Sequence, residues 1–420
     1  MEKWGVDDVV RFIRAIPNIP ERAKESACAQ VYEKHIDGSK LQQCGTLSRC
    51  QDFFSINVVH CQTISQYVKS GVMPTGVTAA SAVSSSPAPP SVSLGLPQSG
   101  NSNSKPTLDI FSLDILSMKV TDVKWVSGGL GSTGVFFVQT ADGMFVAKPC
   151  STRTAGEIYA SILADRLGIA TANIFVPDLE KQEILKDKLL WAPWSNATDK
   201  DRMRNERVAL ISLIAYVPGT PLPACAITLL QEPATHKRAI LTEIGRIMLM
   251  DIVINNFDRL PLCWKNDGNP DNILVRIPTM PNSDAVVVAI DSTLTCIRNS
   301  DGYQRYVDTV RSTLAELHAS RTAQSACMGT SMRRVCDSLL NCTGYAIDDE
   351  GCAMLVEGLK LGCRQLKSLR ERESLWAEVL LAETSSRCGT SIGGTLGLED
   401  IRSDFLNAVA NAVLDSDFAQ

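Results

Sequence analysis

The sequence predicts an α+β chain: a small all-α bundle at the N-terminus, a tether, and a larger domain whose strands come first and helices later. Three observations carry this reading. Residues 73–106 are mostly Ser, Pro, Gly, Ala, Thr and Asn, without an aromatic residue and with Lys105 as their only charge. Such a segment cannot bury enough apolar surface to offset the entropy of ordering it. Before it, apolar residues recur at helical spacing; after it, strand-like runs with glycine-rich turns give way to long helical patterns. At 420 residues the chain also exceeds what one ordinary core accommodates.

The N-terminal elements come first. Trp4, Val6, Val9, Val10, Ile13 and Ile16 share a helical face, and Pro17 and Pro20 end that helix. A second helix is expected over 21–34, and Asp37 stands where it can cap a third. Phe53, Phe54 and Ile56 lead into a last helix with Val59, Ile64, Tyr67 and Val68. The Trp-x-Val-x-x-Val start, the Ile-Asp-Gly-x-x-Leu at 36–41 and the final amphipathic helix resemble a sterile alpha motif (SAM) domain across residues 1–72. Gln42, Gln43 and Cys44 stand where that family usually has a leucine-rich middle. The resemblance implies an interaction module, acting through SAM partners or self-association. No catalytic constellation lies in it.

The tether that follows has an expected r.m.s. span of roughly 30 Å, which lets the two parts move independently. Bulk composition narrows the function. A formal charge of −5 and a pI near 5.6 give no electrostatic reason to expect nucleic acid as partner. No apolar run reaches membrane-spanning length; the longest candidate, Ile244 to Phe257, is interrupted by Arg246 and Asp251. The start of the sequence has no apolar signal core. Cys44, Cys50, His60 and Cys61 match no common zinc spacing, so the fourteen cysteines read as free thiols of a reducing cytosol.

The larger domain is expected over 107–383. Val123, Trp125 and Val126 suggest a strand, followed by the run Gly128, Gly129, Gly131, Ser132 and Gly134. Then come Val135–Val138, an Asp142–Gly143 turn, and a strand from Met144 ending in Ala147 and Lys148. Glycines let backbone N–H groups approach phosphate oxygens, and small hydroxyls add donors. Residues 155–167 form an amphipathic helix with Glu157 in its first turn, nine residues past Lys148. A strand at 207–217 ends in Tyr216, Val217 and a Pro-Gly turn. A helix over 235–256 leads into an Asn/Asp-rich stretch holding Asp258, Arg259, Asp267, Asn269 and Asn272. A strand at 285–290 then ends in Asp291. An aspartate, an asparagine and a later aspartate are the groups that phosphoryl transfer requires. Residues 303–383 look helical, 384–397 loose, and Ile401, Phe405, Val409 and Val413 mark a final helix within 384–420.

Phe-Val-Ala-Lys at 145–148 resembles the lysine-bearing strand of protein kinases. The ordinary His-Arg-Asp, Asp-Phe-Gly and Ala-Pro-Glu signatures are absent. The chain instead resembles the catalytic domain of the actin-fragmin kinases, an atypical protein kinase family related in fold to phosphatidylinositol kinases. The matching segments are Gly-Gly-x-Gly-Ser-x-Gly at 128–134, Gly-Glu-Ile-Tyr-Ala-Ser at 156–161 and Tyr-Val-Pro-Gly at 216–219. Most specific are Asn-x-x-Asp-Arg-x-Pro-Leu at 255–262 and Gly-Asn-x-x-Asn at 268–272.

The resemblance implies a two-lobed, kinase-like fold and a Ser/Thr kinase activity with ATP and Mg²⁺. Lys148 would bind the nucleotide phosphates and pair with Glu157. The glycine run, Tyr216 and Val217 would contact the nucleotide, and Asn272 and Asp291, with Asn269 in support, the metal. Two aspartates compete for catalytic base. Asp267 keeps the ordinary Asp-x-x-x-x-Asn spacing to Asn272; Asp258, followed by Arg259, directly follows the long helix and is preferred. The implied partner is a protein substrate, actin or an actin-bound protein, in the cytoplasm or at the cytoskeleton. The alternative is an inactive kinase-like scaffold acting through the SAM-like module.

Overall fold

The computed structural model describes residues 4–16, 21–43, 108–126, 134–194, 210–231, 234–276, 285–322, 329–389 and 394–419, with the single positions 54, 64, 67, 68 and 200. The tether 73–106 and Gly128, Gly129, Gly131 and Ser132 lie outside the described residues, as does most of the last helix expected in 1–72. What is described divides into one unit ending at residue 68 and a second beginning at 108.

The first unit contains helices α1 (Val6–Ala15), α2 (Glu21–Glu33) and α3 (Gly38–Gln43). The α1 stripe of Val9, Phe12 and Ile13 packs into one core with Val31, Ile36, Leu41, Phe54, Ile64 and Val68. Asp8 accepts from Gly5 N–H at 2.9 Å and so holds the start of α1. Asp37 accepts from Lys40 N–H at 2.9 Å at the start of α3.

The second unit opens with strands β1 (Val120–Val126), β2 (Val135–Thr140) and β3 (Met144–Pro149). With β4 (Ile174–Phe175) and β5 (Ile211–Ala215) they form an antiparallel sheet of order β1-β2-β3-β5-β4. In β2 and β3 every second residue is buried, namely Phe136, Val138, Thr140, Phe145, Ala147 and Pro149. That period of two puts Lys148 on the opposite face from Phe145 and Ala147. The apolar face is covered by helix α5 (Leu179–Trp191), whose Leu185 and Leu189 join Phe136, Phe145 and Leu213 in one cluster. Gln182 on α5 is fully buried; its amide accepts from Ile211 N–H at 2.9 Å and donates to Ile211 O at 2.8 Å.

Between β3 and β4 runs helix α4 (Thr154–Arg166), buried over its first eleven residues. After β5, a short strand β6 (Thr220–Pro221) pairs with β7 (Ile273–Arg276), and β7 with β8 (Val286–Ala289), in a second antiparallel sheet. Helices α6 (Leu222–Gln231) and α7 (Ala234–Ile254) lie between β6 and β7. The rest is helical: α8 (Ser300–Thr322), α9 (Thr330–Thr343), α10 (Asp349–Arg372), α11 (Trp376–Cys388) and α12 (Ser403–Leu414).

Helix α7 is apolar on most sides because it is the central rod of this lobe, with Ile240, Ile244, Ile247, Met250 and Val253 fully buried. It crosses α10 at two facing glycines. A Cβ at Gly358 would run into the Thr242 carbonyl, and one at Gly245 into the Leu355 carbonyl. Only backbone fits there. Gly358→Ala is therefore expected to destabilise the unit by about 1–3 kcal/mol or more. Gly394→Ala, whose Cβ would meet nothing nearer than Glu399 Oε2 at 3.8 Å, should leave the denaturation midpoint where it was. Equal midpoints for the two variants would show that the crossing yields.

The stretch expected to be loose, 384–397, is regular at both of its described ends. Helix α11 continues to Cys388, and Gly394–Leu396 and Leu398–Asp400 are single 3₁₀ turns. Its Ser/Thr composition does not break the helix because Thr384 donates its hydroxyl to Leu380 O at 2.7 Å. The final helix α12 docks on the lobe, with Phe405, Val409 and Val413 fully buried. Phe405 stacks on Tyr306, 5.9 Å between ring centres, and Tyr306 stacks on Trp264 at 6.3 Å. Trp264 in turn donates to Asn255 Oδ1 at 3.1 Å, so an aromatic ladder joins α12 to the loop after α7.

Candidate active site

Lys148 is the penultimate residue of β3 and α4 begins six residues after it, so the lysine and the first turn of the helix are neighbours. Lys148 Nζ lies 2.9 Å from Glu157 Oε1 and 2.8 Å from Asp291 Oδ1. Burial works against the ammonium, but the two carboxylates outweigh it and hold its pKa well above the ordinary lysine value. The Asp291 side chain is 49% exposed, which leaves part of its carboxylate open to a ligand. Asp291 itself sits at φ +52°, just past β8.

Helix α7 ends in a Schellman-type turn. Asn256 N–H reaches back to Asp251 O and Asn255 N–H to Ile252 O, with Asn255 at φ +50°. This turn delivers Asp258 to the same place as Asn272, which closes a 3₁₀ turn before β7. Asn272 Nδ2 donates to Asp258 Oδ2 at 3.2 Å. Burial raises the Asp258 carboxyl pKa above the usual aspartate value, and the Asp291 charge adds to the effect. Arg259, the Asn272 hydrogen bond and Arg153 oppose it.

Arg259 is placed differently from its neighbour. Its side chain is wholly buried and ion-paired with Asp251. Its Nε donates to Asn272 O at 3.3 Å, and its Nη2 to Ile290 O at 2.8 Å and Ser292 Oγ at 2.6 Å. One guanidinium thus ties α7, the Asn272 turn and the Asp291 end of β8 together. It touches no open space, so it positions the site rather than reacting in it.

Asp267 turns elsewhere. It is exposed, its carbonyl accepts from Ser338 Oγ on α9 at 2.6 Å, and its charge is felt by the Cys342 thiol on that helix. Asn269 is held through its backbone, N–H to Arg259 O at 3.0 Å and carbonyl to Asn272 N–H at 3.1 Å. Tyr216 and Val217, both half-buried, form the connection between the two sheets, and the Tyr216 ring meets Phe137 edge-on at 6.1 Å. Of the glycine run, Gly134 is described; it stands at φ +75° against the Trp125 indole.

Lys148, Glu157, Asp258, Asn272 and Asp291 are therefore brought together. Asp251 and Ser292, which anchor Arg259, escaped the sequence reading. The available signal was an aspartate interrupting an otherwise apolar helix.

Lys148 and Glu157 present a fixed cation. Asp258 Oδ2 engages Asn272 Nδ2, which leaves the Asn272 oxygen and the half-open Asp291 carboxylate as hard oxygen donors. Among the described residues no three His, Cys, Asp or Glu side chains converge on one point. An amide and a single carboxylate suit a cation whose remaining ligands come from phosphate and water.

Comparison with known proteins points to one family. A curated protein of Dictyostelium discoideum, carried under the provisional name of an actin-fragmin kinase, is 26% identical over 206 residues. The match covers 45% of this chain and 48% of that protein, so the chain spans about half the length of its curated relative. Residues 99–363, more than half of the sequence, match the family described as actin-fragmin kinase, catalytic. With that match added to the assembled Lys148, Glu157, Asp258, Asn272 and Asp291, the chain belongs to the actin-fragmin kinase catalytic family.

Proposed function

We propose that the chain is a Mg-ATP-dependent serine/threonine protein kinase whose substrate is actin or an actin-bound protein, with the N-terminal SAM-like unit recruiting partners at the cytoskeleton. The observation that carries this is the single cluster in which Lys148 bridges Glu157 and Asp291 while Asp258 is hydrogen-bonded to Asn272. Bound Mg-ATP would supply the phosphoryl group and neutralise the charge that develops on it. Lys148, fixed by Glu157, would hold phosphate oxygens. The Asn272 oxygen and the Asp291 carboxylate would hold the metal. Asp258, beside Asn272, would orient the acceptor hydroxyl and take its proton. The actin assignment rests on the family and relative names alone.

The test is radiolabelled ATP with purified protein and a cell extract. A labelled band is expected, and it should vanish with Lys148→Ala or Asp291→Asn while circular dichroism stays unchanged. Near-normal turnover in either folded variant would transfer the nucleotide site elsewhere. Absence of any labelling by the parent protein would favour the scaffold reading.

A further inference from the structure

We infer that a hollow beside Asp258 is a specificity pocket for an acidic side chain of the protein substrate, close in sequence to the phosphoacceptor. This rests on the protein-kinase reading above and adds the substrate class. The hollow has a volume of about 250 Å³. That is small for a free metabolite, whose pockets run to roughly 300–1,000 Å³, and suits one or two side chains.

Its position ties it to the reaction. Phe257, next to the base and 43% exposed, forms part of its wall, as does Arg153 just ahead of α4. Cys296 and Arg298 line it from the segment after Asp291, and Gly397 and Asp400 from the C-terminal turns. Those turns lie beyond the family match, which ends at residue 363. Gly397 is at φ +81°, and a Cβ there would run into the Thr152 carbonyl, so only glycine lets the turn close this side. Arg402 N–H to Cys296 Sγ, at 3.4 Å, fastens the same turn to the Asp291 segment.

Its charge selects the ligand. The lining carries two guanidiniums and one carboxylate. Arg298 is ion-paired with Asp400. The Arg153 guanidinium has no hydrogen-bond or ion-pair partner among the described residues, yet it lies close enough to act on the carboxyls of Asp258 and Glu157. A guanidinium that lines a side-chain-sized hollow, with no hydrogen-bond or ion-pair partner among the described residues, suits a carboxylate, which it can grip with two parallel hydrogen bonds.

Two measurements test this on the full chain. The first uses a Ser/Thr peptide array with Asp, Ala or Lys at each flanking position, together with the mapped site of any extract protein that is labelled. At one flanking position Asp should exceed Ala by about ten-fold in kcat/KM, the worth of one charge-assisted contact. Arg153→Ala should level the two and Arg153→Glu should favour Lys. Phosphorylation without an acidic preference overturns the pocket and leaves the kinase intact.

The second is independent of turnover. Burial raises the thiols of Cys296 in the pocket and Cys225 outside it alike, to about 11. Iodoacetate, relative to neutral iodoacetamide, should alkylate Cys296 several-fold more readily than Cys225, and Arg153→Ala should lower that preference, the remainder belonging to Arg402, whose charge also acts on Cys296 against that of Asp404. Equal ratios at the two cysteines in the parent protein, or a ratio indifferent to Arg153, also overturn the pocket. An intact iodoacetate preference with no phosphorylation of any peptide or protein removes the kinase reading, and the substrate assignment falls with it.

Discussion

Exchanging Asp258 for asparagine is expected to lower kcat by about 10²–10⁴-fold, the usual worth of a placed general base, while Asp267→Asn is expected to leave kcat near its parent value. The difference follows from where the two carboxylates lie. Asp258 shares a hydrogen bond with Asn272 and feels the charge of Asp291; Asp267 is carried to the α9 surface by the loop after α7. A pH profile gives an independent check. As the proposed base, Asp258 would act as its carboxylate, and burial together with Asp291 raises its pKa. Activity is therefore present above that raised pKa and lost as pH falls through it. The acid limb of kcat/KM, which reports the free enzyme, should lie above the ordinary aspartate value of 3.8. A larger kcat loss in Asp267→Asn than in Asp258→Asn would move the role to Asp267.

Arg259→Met should be the most destabilising change in the second unit, costing about 3–5 kcal/mol. The penalty comes from what is left behind. Asp251 is fully buried, and its Oδ2 already lacks a hydrogen-bond partner among the described residues. Without Arg259 its charge keeps, among the described residues, the Asn256 amide at 2.9 Å. The double variant Arg259→Met with Asp251→Leu should recover much of the loss, because removing both charges also removes the unpaired one. Arg259→Lys separates fold from function. It keeps a charge opposite Asp251 but not the planar fork that also reaches Asn272 O, Ile290 O and Ser292 Oγ. Its kcat should fall while KM changes little and denaturation shifts less than in the methionine variant. A double variant no more stable than Arg259→Met would sink the buried-charge explanation.

These two arginine and aspartate positions also show what can be read from a sequence. Lys148, Glu157, Asn272 and Asp291 were legible because the chemistry fixes their residue types and chain order, and strand and helix periods put them at element ends. The choice between Asp258 and Asp267 was not legible from spacing, since spacing does not say which way an inserted loop folds. Ser338, 71 residues downstream of Asp267, holds that loop through the Asp267 carbonyl. Standing directly after Asp258, the proposed base, Arg259 reads in the sequence as a catalytic candidate as well. Its long side chain runs back into the core toward Asp251, and a one-dimensional neighbour need not be a neighbour of the reaction. The helix through Cys388 was missed for a local reason, as Ser and Thr suggest loops until their hydroxyls find a carbonyl within the helix. The pocket beside Asp258 was beyond reach, since its walls come from residues as far apart as Arg153 and Asp400.

The ladder from Phe405 through Tyr306 to Trp264 has a consequence for how the protein is made. Synthesis runs from the N-terminus at ~5–20 residues per second. The first unit has its described core complete by Val68 and can close while most of the chain is still untranslated. Helix α7 cannot. It shares one core with Phe405, Val409 and Phe418, so after emerging it waits roughly ten to thirty seconds for its last partners. Throughout that interval the apolar rod, already crossed by α10, lacks the part of its cover that α12 supplies, an exposure of the kind that makes nascent chains prone to aggregate. A ribosome stalled before α12 would release a chain that carries Lys148, Asp258, Asn272 and Asp291 yet lacks the residues that close the core around α7.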